Sequence, residues 1–331
     1  MAPPPPLPEP TRELTVPGFA LGHGTDREGK TGVTVVLCPE GAVGAADVRG
    51  TATGTRQFDG LQRQHGVPGR AHGFVLAGGS GFGLAAADPV VEHLAAAGHG
   101  LETGYRPVPL VPTAILFDLA FGSAEAAPTP ELVREALAAA AAGPVACGSV
   151  GAGTGATVGK ANGVECCMKG GFGFAQLTIS GGVSVAAAVA VNAVGDVRDP
   201  ESGRTLAGCR TAPDSLELAG AERVLAGLPP EARHPWDGNT TLGVVLTDAE
   251  LDGRAARKVS EMAFGAFYRT LSPALTLYDG DLLVTLASCR QPAHVHQVAV
   301  LAQRAVERAI VAAVLEADGF GLRPAARDLP G

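Results

Sequence analysis

The chain has 331 residues, of which 46% are hydrophobic and 18% charged, and its net charge is -8 at pH 7. This length can bury one large core or two smaller ones. The negative charge and the lack of a basic cluster argue against nucleic acid as a partner. The longest apolar run, residues 183–191, is shorter than the roughly 20 residues that a membrane-spanning helix needs.

The first ten residues are rich in proline and lack the basic-then-apolar pattern of a signal peptide, so we expect a disordered arm over residues 1–20. No linker composition interrupts the remainder, which predicts a single domain over residues 21–331. The six cysteines include no C-x-x-C pair, which favours free thiols over a disulfide framework or a zinc site. A cytoplasmic location is therefore expected.

Apolar, alternating or β-branched runs predict strands at residues 33–37, 174–179, 183–191, 242–247 and 282–287. Helical periodicity predicts helices at residues 84–97, 130–142, 250–271 and 294–316. The second of these begins with Thr129 as a candidate N-cap, followed by Pro130. Because several strands are apolar on both faces, they need cover on both sides. The set predicts an α+β protein with layered helices and sheets.

Three patterns imitate known sites without meeting their requirements. Residues 81–86 have the G-x-G-x-x-A form but no clear strand–helix–strand unit around them, so a tight loop is expected instead. Residues 153–161 resemble a phosphate-binding loop but lack its first glycine and its Ser or Thr. His294 and His296 point about 200° apart on a helix and cannot share a metal. We expect neither a cofactor nor a metal ion.

The most informative segment is residues 238–248, where Gly238, Asn239 and two threonines precede a β-branched apolar run. If the bond after Asn239 is cut, Thr240 carries a hydroxyl nucleophile and an α-amine whose ordinary pKa is about 7.7–8.0, so one residue supplies both nucleophile and base. This is the chemistry of an N-terminal-nucleophile hydrolase. An ordinary strand start remains an alternative, and so does a glycosylation sequon, which would require secretion.

Five other polar residues could serve such a nucleophile. Lys160 and Lys169 lie in a glycine-rich stretch, and an ammonium near the threonine amine would lower the pKa of that amine. Asn192 ends an apolar strand and could donate a hydrogen bond to an oxyanion. Asp279 and Asp281 precede the strand at 282–287 and could orient a hydroxyl or a substrate amine. Solvated lysines, a turn asparagine and a plain acidic turn or calcium loop remain open as alternatives.

Five segments in this order resemble the DmpA-type family of self-cleaving N-terminal-nucleophile peptidases, and within it most of all the 6-aminohexanoate-oligomer (nylon-oligomer) endohydrolases. The segments are residues 76–84, 151–155, 191–195, 238–241 and 279–281. The resemblance extends over most of the chain, from about residue 41 to residue 316. It implies an αββα sandwich of the N-terminal-nucleophile type. It also implies self-cleavage into residues 1–239 and 240–331, with both fragments held together in a homotetramer.

By the same resemblance, Thr240 is the nucleophile released by cleavage after Asn239. Lys160 matches the family lysine beside the threonine, and Lys169 is the second candidate for that position. Asn192 matches the asparagine that stabilises the oxyanion.

The resemblance also assigns Asp279 and Asp281 to the acidic pair near the threonine. Phe117 stands where the family commonly has a substrate-binding tyrosine, so a phenolic hydrogen bond is not expected here. The implied activity is hydrolysis of 6-aminohexanoate oligomers or related amides. The alternatives are a DmpA-type or β-peptidyl aminopeptidase, an ornithine-acetyltransferase-like transferase that shares self-cleavage at a threonine, and a binding protein that is never cleaved.

Overall fold

The computed structural model describes residues 7–62, 70–179, 181–232 and 238–330. Its strands in these ranges are β1 (Glu13–Leu14), β2 (Ala20–Asp26), β3 (Thr31–Val48), β4 (Thr55–Arg56), β5 (Arg70–Ala77), β6 (Thr113–Ile115), β7 (Gly143–Pro144), β8 (Thr157–Val158), β9 (Met168–Lys169), β10 (Gly171–Thr178), β11 (Ser184–Asn192), β12 (Asp196–Arg198), β13 (Thr205–Ala207), β14 (Thr240–Ala249), β15 (Leu271–Ser272) and β16 (Leu282–Gln291). The helices are α1 (Asp59–Gln62), α2 (Ala87–Ala96), α3 (Pro130–Ala138), α4 (Ala221–Ala226), α5 (Gly253–Ala263), α6 (Gly265–Thr270) and α7 (Val295–Leu315). Short 3-10 helices span Ser80–Ala86, Gly151–Gly153, Val164–Cys166 and Ala326–Asp328.

The main sheet has the strand order β10-β11-β14-β16-β3-β5-β6-β4, and β2 also pairs with β3. The long strand β3 changes partners along its length. Residues 31–37 pair with β2, whereas residues 43–48 pair with β16. The register of β3 against β5 shifts between Leu37 and Ala42. The sheet therefore has two halves that share β3.

Three apolar clusters define the layers around these two halves. Helices α5, α6 and α7 pack on the outer face of the half built from β10, β11, β14 and β16. Helices α2 and α3 cover the outer face of the other half. The inner cluster lies between the halves and includes the fully buried Phe74 and Val244. Because truncating a buried phenylalanine to alanine typically lowers the free energy of unfolding by about 3–5 kcal/mol, side chains such as Phe74 contribute strongly to stability. The order helix–sheet–sheet–helix confirms the predicted αββα sandwich.

The five predicted strands correspond to β3, β10, β11, β14 and β16, two of them offset by one residue at one end, and the four predicted helices are present with altered bounds. The helix predicted at 250–271 is two helices. Helix α5 begins only at Gly253, because the Asp252 side chain accepts a hydrogen bond from the Ala255 N–H at 2.8 Å and caps it there. The expected cap at Thr129 is also present, since its hydroxyl accepts from the Leu132 N–H at 3.3 Å. None of the helices in the described ranges is both long and apolar enough to cross a membrane.

The prediction of a disordered arm over residues 1–20 is wrong for the described part of that segment. Strand β1 pairs with β7, and Leu14, Val16 and Phe19 are buried in the inner cluster. Burying three large apolar side chains provides the free energy that orders this stretch. Proline content alone did not reveal these three anchors.

Candidate active site

Strand direction brings three segments of the chain to one end of the sheet. Strand β14 lies between β11 and β16, antiparallel to the first and parallel to the second. Thr240 begins β14 directly opposite Asn192, the last residue of β11. Asp279 and Asp281 lie just before β16, which starts at the same end as β14. The predicted nucleophile, the predicted amide donor and the acidic pair are therefore neighbours.

Asn239, the residue before Thr240, is held by contacts to its N–H, its carbonyl and its side chain. The Asn239 N–H donates to the Tyr278 carbonyl at 3.2 Å, and its own carbonyl accepts from the Gly280 N–H at 2.8 Å. Its side-chain Oδ1 accepts from Lys160 Nζ at 2.8 Å. The Thr240 hydroxyl contacts the same Asn239 carbonyl oxygen. Thr240 Oγ1 thus lies against the peptide bond that self-cleavage would break.

Lys160 is buried and joins Asn239 to Asn192. Its Nζ also donates to the backbone carbonyl of Asn192 at 3.0 Å and to its Oδ1 at 2.9 Å. The Thr157 N–H donates to the same Oδ1 at 2.9 Å, and Asn192 Nδ2 donates to the Phe117 carbonyl at 2.9 Å. These bonds fix the plane of the Asn192 amide. They also direct one of its amide N–H groups at Phe117.

The Gly280 N–H is a candidate functional group that the sequence analysis did not name. It reaches the carbonyl oxygen of Asn239, where negative charge would develop during attack by Thr240. A backbone donor has no residue type of its own, so only the position of Gly280 between two aspartates hinted at it. A Cβ at this glycine would lie 2.6 Å from Thr240 Oγ1. Glycine is therefore needed here for the close approach of the hydroxyl.

Phe117 forms a wall behind the segment that precedes Thr240. Gly238 has φ +40°, and a Cβ at this position would lie 2.4 Å from Phe117 Cγ. A side chain at Gly238 would therefore be strained by both backbone conformation and steric overlap. The Phe117 ring therefore packs directly against Gly238, and its contribution to substrate binding stays a prediction.

The acidic pair fixes the backbone around Thr240. Asp281 accepts a hydrogen bond from the Thr241 N–H at 2.6 Å. Asp279 accepts from the hydroxyl and N–H of Thr276, at 2.7 and 2.8 Å, and from the Val194 N–H at 3.3 Å. Burial raises the pKa of both carboxyls, and the neighbouring charge of Asp279 raises the pKa of Asp281 further. The pair therefore retains a proton to higher pH than isolated carboxyls would.

Lys169, the second candidate lysine, contacts backbone rather than Asn239. Its Nζ donates to three carbonyl oxygens, including those of Ala156 at 2.7 Å and Gly153 at 2.9 Å. Burial lowers the pKa of Lys169 to about 7, and the charge of Asp118 partly offsets this effect. Of the two candidates, the described contacts bring Lys160 to the Asn239 side chain. Lys169 instead holds together the loop that leads to Thr157.

A narrow cleft adjoins Lys160. Its walls include Phe117, Phe121, Val164, Cys167 and Arg323. The Arg323 guanidinium pairs with Glu165 at 3.0 Å. The cleft therefore combines apolar walls with the basic side chains of Lys160 and Arg323 and the carboxyl group of Asp118.

A family model described as peptidase family S58 matches residues 14–324. The chain belongs to peptidase family S58. Similar proteins of this family include an uncharacterized aminopeptidase of Mycobacterium tuberculosis, 38% identical over 95% of this chain and 93% of the relative. A 6-aminohexanoate-oligomer endohydrolase of Paenarthrobacter ureafaciens is 30% identical over 82% of this chain and 73% of its own length. The predicted family resemblance is confirmed, and this S58 chain is a hydrolase of peptide or amide bonds.

Solved structures show the same fold at lower sequence identity. A Burkholderia sp. beta-aminopeptidase has a TM-score of 0.69 and 19% identity, covering 97% of the S58 chain and 92% of that structure. The L-aminopeptidase D-Ala-esterase/amidase of Ochrobactrum anthropi has a TM-score of 0.67 and 19% identity, and the match covers 96% of the S58 chain and 89% of that structure. That second structure is described as a variant of the Ntn hydrolase fold. The predicted N-terminal-nucleophile fold class is confirmed.

Proposed function

We propose that this S58 peptidase cuts its own chain between Asn239 and Thr240 and then uses Thr240 as the nucleophile that hydrolyses linear amides. The observation that carries the proposal is the contact of Thr240 Oγ1 with the Asn239 carbonyl, on an oxygen that also accepts the Gly280 N–H. A hydroxyl beside a polarised carbonyl is the arrangement that acyl transfer needs. The proposed domain organisation follows, with fragments 1–239 and 240–331 forming one folded unit.

In the proposed self-cleavage, Thr240 Oγ attacks the Asn239 carbonyl carbon while its proton passes to the amide nitrogen of Thr240. The C–N bond breaks, which leaves an ester between Asn239 and Oγ and a free α-amine on Thr240. Water then hydrolyses the ester to the Asn239 carboxylate and the Thr240 hydroxyl. The Gly280 N–H, at 2.8 Å from the carbonyl oxygen, stabilises the charge on the tetrahedral intermediate.

In the proposed turnover, the same hydroxyl attacks a substrate amide. The α-amine of Thr240 takes the hydroxyl proton and gives it to the leaving amine, after which water hydrolyses the acyl ester. The side-chain amide of Asn192 and the Gly280 N–H donate hydrogen bonds to the oxyanion. The ammonium of Lys160 lies near the α-amine of Thr240 and favours the uncharged form of that amine, which can accept a proton. Asp279 and Asp281 hold the strand ends on either side of the reacting atoms.

Two substrate classes are supported by different observations. The relative named as a 6-aminohexanoate-oligomer endohydrolase supports unbranched ω-amino acid amides. The relatives of higher identity, 38% and 40%, are named aminopeptidases, which supports α-peptides. The first class is the one predicted from the sequence, and the second is retained as the alternative.

The deciding experiment combines intact mass with a substrate comparison. The purified protein should give two fragments, and N-terminal sequencing of the smaller one should begin at Thr240. A 6-aminohexanoate trimer, a β-alanine dipeptide and L-alanyl p-nitroanilide are then compared under identical conditions. An uncut chain would refute the proposal. Acetyl transfer from acetylornithine to glutamate, without amide hydrolysis, would replace it by the transferase.

The proposed assembly keeps both fragments together as a homotetramer in the cytoplasm, with an amide substrate as the only other partner. Burial of β14 between β11 and β16 supports association of the fragments. The six cysteines, which all lie in the described ranges, are free thiols, and free thiols are typical of a reducing compartment. Gel filtration under native conditions tests the assembly.

A further inference from the structure

We infer that Gly238 and Asn239 occupy, in the intact chain, the subsite that later binds the acyl part of a substrate. The inference rests on the proposed function, because it requires Thr240 to be the nucleophile of both reactions. An ester on Thr240 Oγ is then common to both. During self-cleavage this ester carries the chain that ends in Asn239, and during turnover it carries the substrate's acyl group. Because both acyl groups are bonded to this oxygen, we take the groups around Asn239 in the uncut chain as those that also meet the substrate's acyl group.

The backbone of Asn239 shows that this subsite binds an extended α-amino acyl residue. Asn239 forms a parallel bridge with Asp279, in which its N–H and carbonyl bond to Tyr278 and Gly280. A substrate residue in this place pairs with the same two backbone groups as an added strand would. A 6-aminohexanoyl unit has no N–H on the carbon next to its carbonyl. It therefore lacks the hydrogen bond to Tyr278.

The side chain of Asn239 shows what the subsite recognises beyond the backbone. Its Oδ1 accepts from Lys160 Nζ, which is buried with the rest of its side chain. An apolar side chain in this place would remove one acceptor from a buried ammonium, which is costly. The inferred substrate class is therefore an asparaginyl amide, whose side chain carries an uncharged carbonyl at the same reach.

The contact between Gly238 and Phe117 sets a size limit one residue further along. A Cβ at Gly238 would overlap the Phe117 ring, so the residue before the asparagine is glycine. Because the intact chain itself continues past this point, the subsite accepts acyl groups with chain on their amino side. This feature indicates cleavage at an internal Gly-Asn sequence rather than only after a free amino-terminal residue.

Binding of product-like peptides to the self-cleaved wild-type protein tests the inference. N-acetyl-Gly-Asn is compared by calorimetry with N-acetyl-Gly-Leu, which has similar size without the acceptor, and with N-acetyl-Val-Asn, which restores a branch at the glycine. We expect affinity for N-acetyl-Gly-Asn to exceed that of each control about tenfold or more. The protein's own Asn239 terminus competes equally with all three peptides, so the ratios are unaffected. Equal affinities would overturn the inference.

A kinetic arm separates this inference from the proposed function. The p-nitroanilides of the same three acyl dipeptides are offered to the wild-type protein. A higher kcat/KM for the Gly-Asn compound supports both proposals, and equal hydrolysis of all three overturns the subsite alone. Selective binding of N-acetyl-Gly-Asn without hydrolysis of any amide would leave the subsite intact and refute the hydrolase.

Discussion

Replacing Lys160 by methionine tests which lysine serves the reaction. Methionine keeps most of the side-chain volume and removes the ammonium, which donates to Asn239 Oδ1 and to both oxygens of Asn192. One hydrogen bond from a charged group contributes about 1.5–3 kcal/mol. If the Asn239 bond is kept in the transition state of self-cleavage, its loss slows the reaction about 10- to 150-fold. Misorientation of Asn192 adds to this effect.

The assay follows the fraction of cleaved chain by intact mass at fixed times after purification. The same samples are analysed by thermal denaturation, which separates slow chemistry from poor folding. Lys169→Met is the matched control, because Lys169 is equally buried but contacts backbone carbonyls of the loop at residues 153–156. Lys169→Met should clearly lower the midpoint of thermal denaturation, whereas it should slow self-cleavage only a little.

The opposite pattern would refute this reasoning. If Lys160→Met is cleaved at the wild-type rate while a folded Lys169→Met remains intact, the catalytic role belongs to Lys169. Equal and modest losses in both variants would show that neither ammonium contributes specifically.

Three further predictions follow from the same geometry. Thr240→Ala should remain one chain by mass spectrometry, whereas Thr240→Ser should still release a fragment of 331 − 239 = 92 residues; a cut Thr240→Ala chain would contradict the assignment. Gly238→Ala should slow self-cleavage because its Cβ overlaps the Phe117 side chain, and adding Phe117→Gly, which removes both the ring and its Cβ, should restore part of the rate; no rescue, in variants that melt normally, would show that the overlap is not the cause. Burial lowers the pKa of His23 from 6.5 to about 4. As the pH falls, the imidazole is therefore protonated in the unfolded chain before it is protonated in the folded one. The free energy of unfolding should fall by up to about 3 kcal/mol as pH drops from 6.5 to 4. Denaturant unfolding of His23→Gln should lack this part of the decline, and an identical decline in both proteins would exclude His23 as its source.

The positions of the strands were readable because β-branched, apolar runs in this chain are long and bounded by polar residues, whereas their order in the sheet was not predicted. Thr240, Asn192 and the acidic pair all lie at such boundaries, and the ends of neighbouring strands meet at one end of a sheet. The family resemblance, rather than the strand pattern, predicted that these residues would be neighbours. It could not predict the bond between Lys160 Nζ and Asn239 Oδ1, because that contact depends on a loop and on a side-chain rotamer.

Other features escaped prediction for different physical reasons. Strand β2 contains glycines at Gly22 and Gly24, where a Cβ would overlap the backbone of α3. Glycine disfavours strands in general, so close packing against a helix concealed this one. The Gly280 N–H was invisible because backbone donors carry no sequence signal. The first residues of the helix predicted at 84–97 belong to the 3-10 helix Ser80–Ala86. Helical periodicity does not distinguish a 3-10 helix from an α-helix.

The location of β14 and β16 in the middle of the sheet has a consequence for refolding. Both strands follow Thr240 in the chain, yet β11 and β3, which flank them, precede it. The uncut chain can assemble this sheet as a unimolecular reaction, but after the proposed cut two separate chains must meet. Recovery from denaturation should then depend on protein concentration, and it should be poor in dilute solution, where each fragment exposes an unpaired strand edge. If the chain is cut as proposed, the mature protein has folded once, before the cut, and its persistence then depends on its unfolding rate.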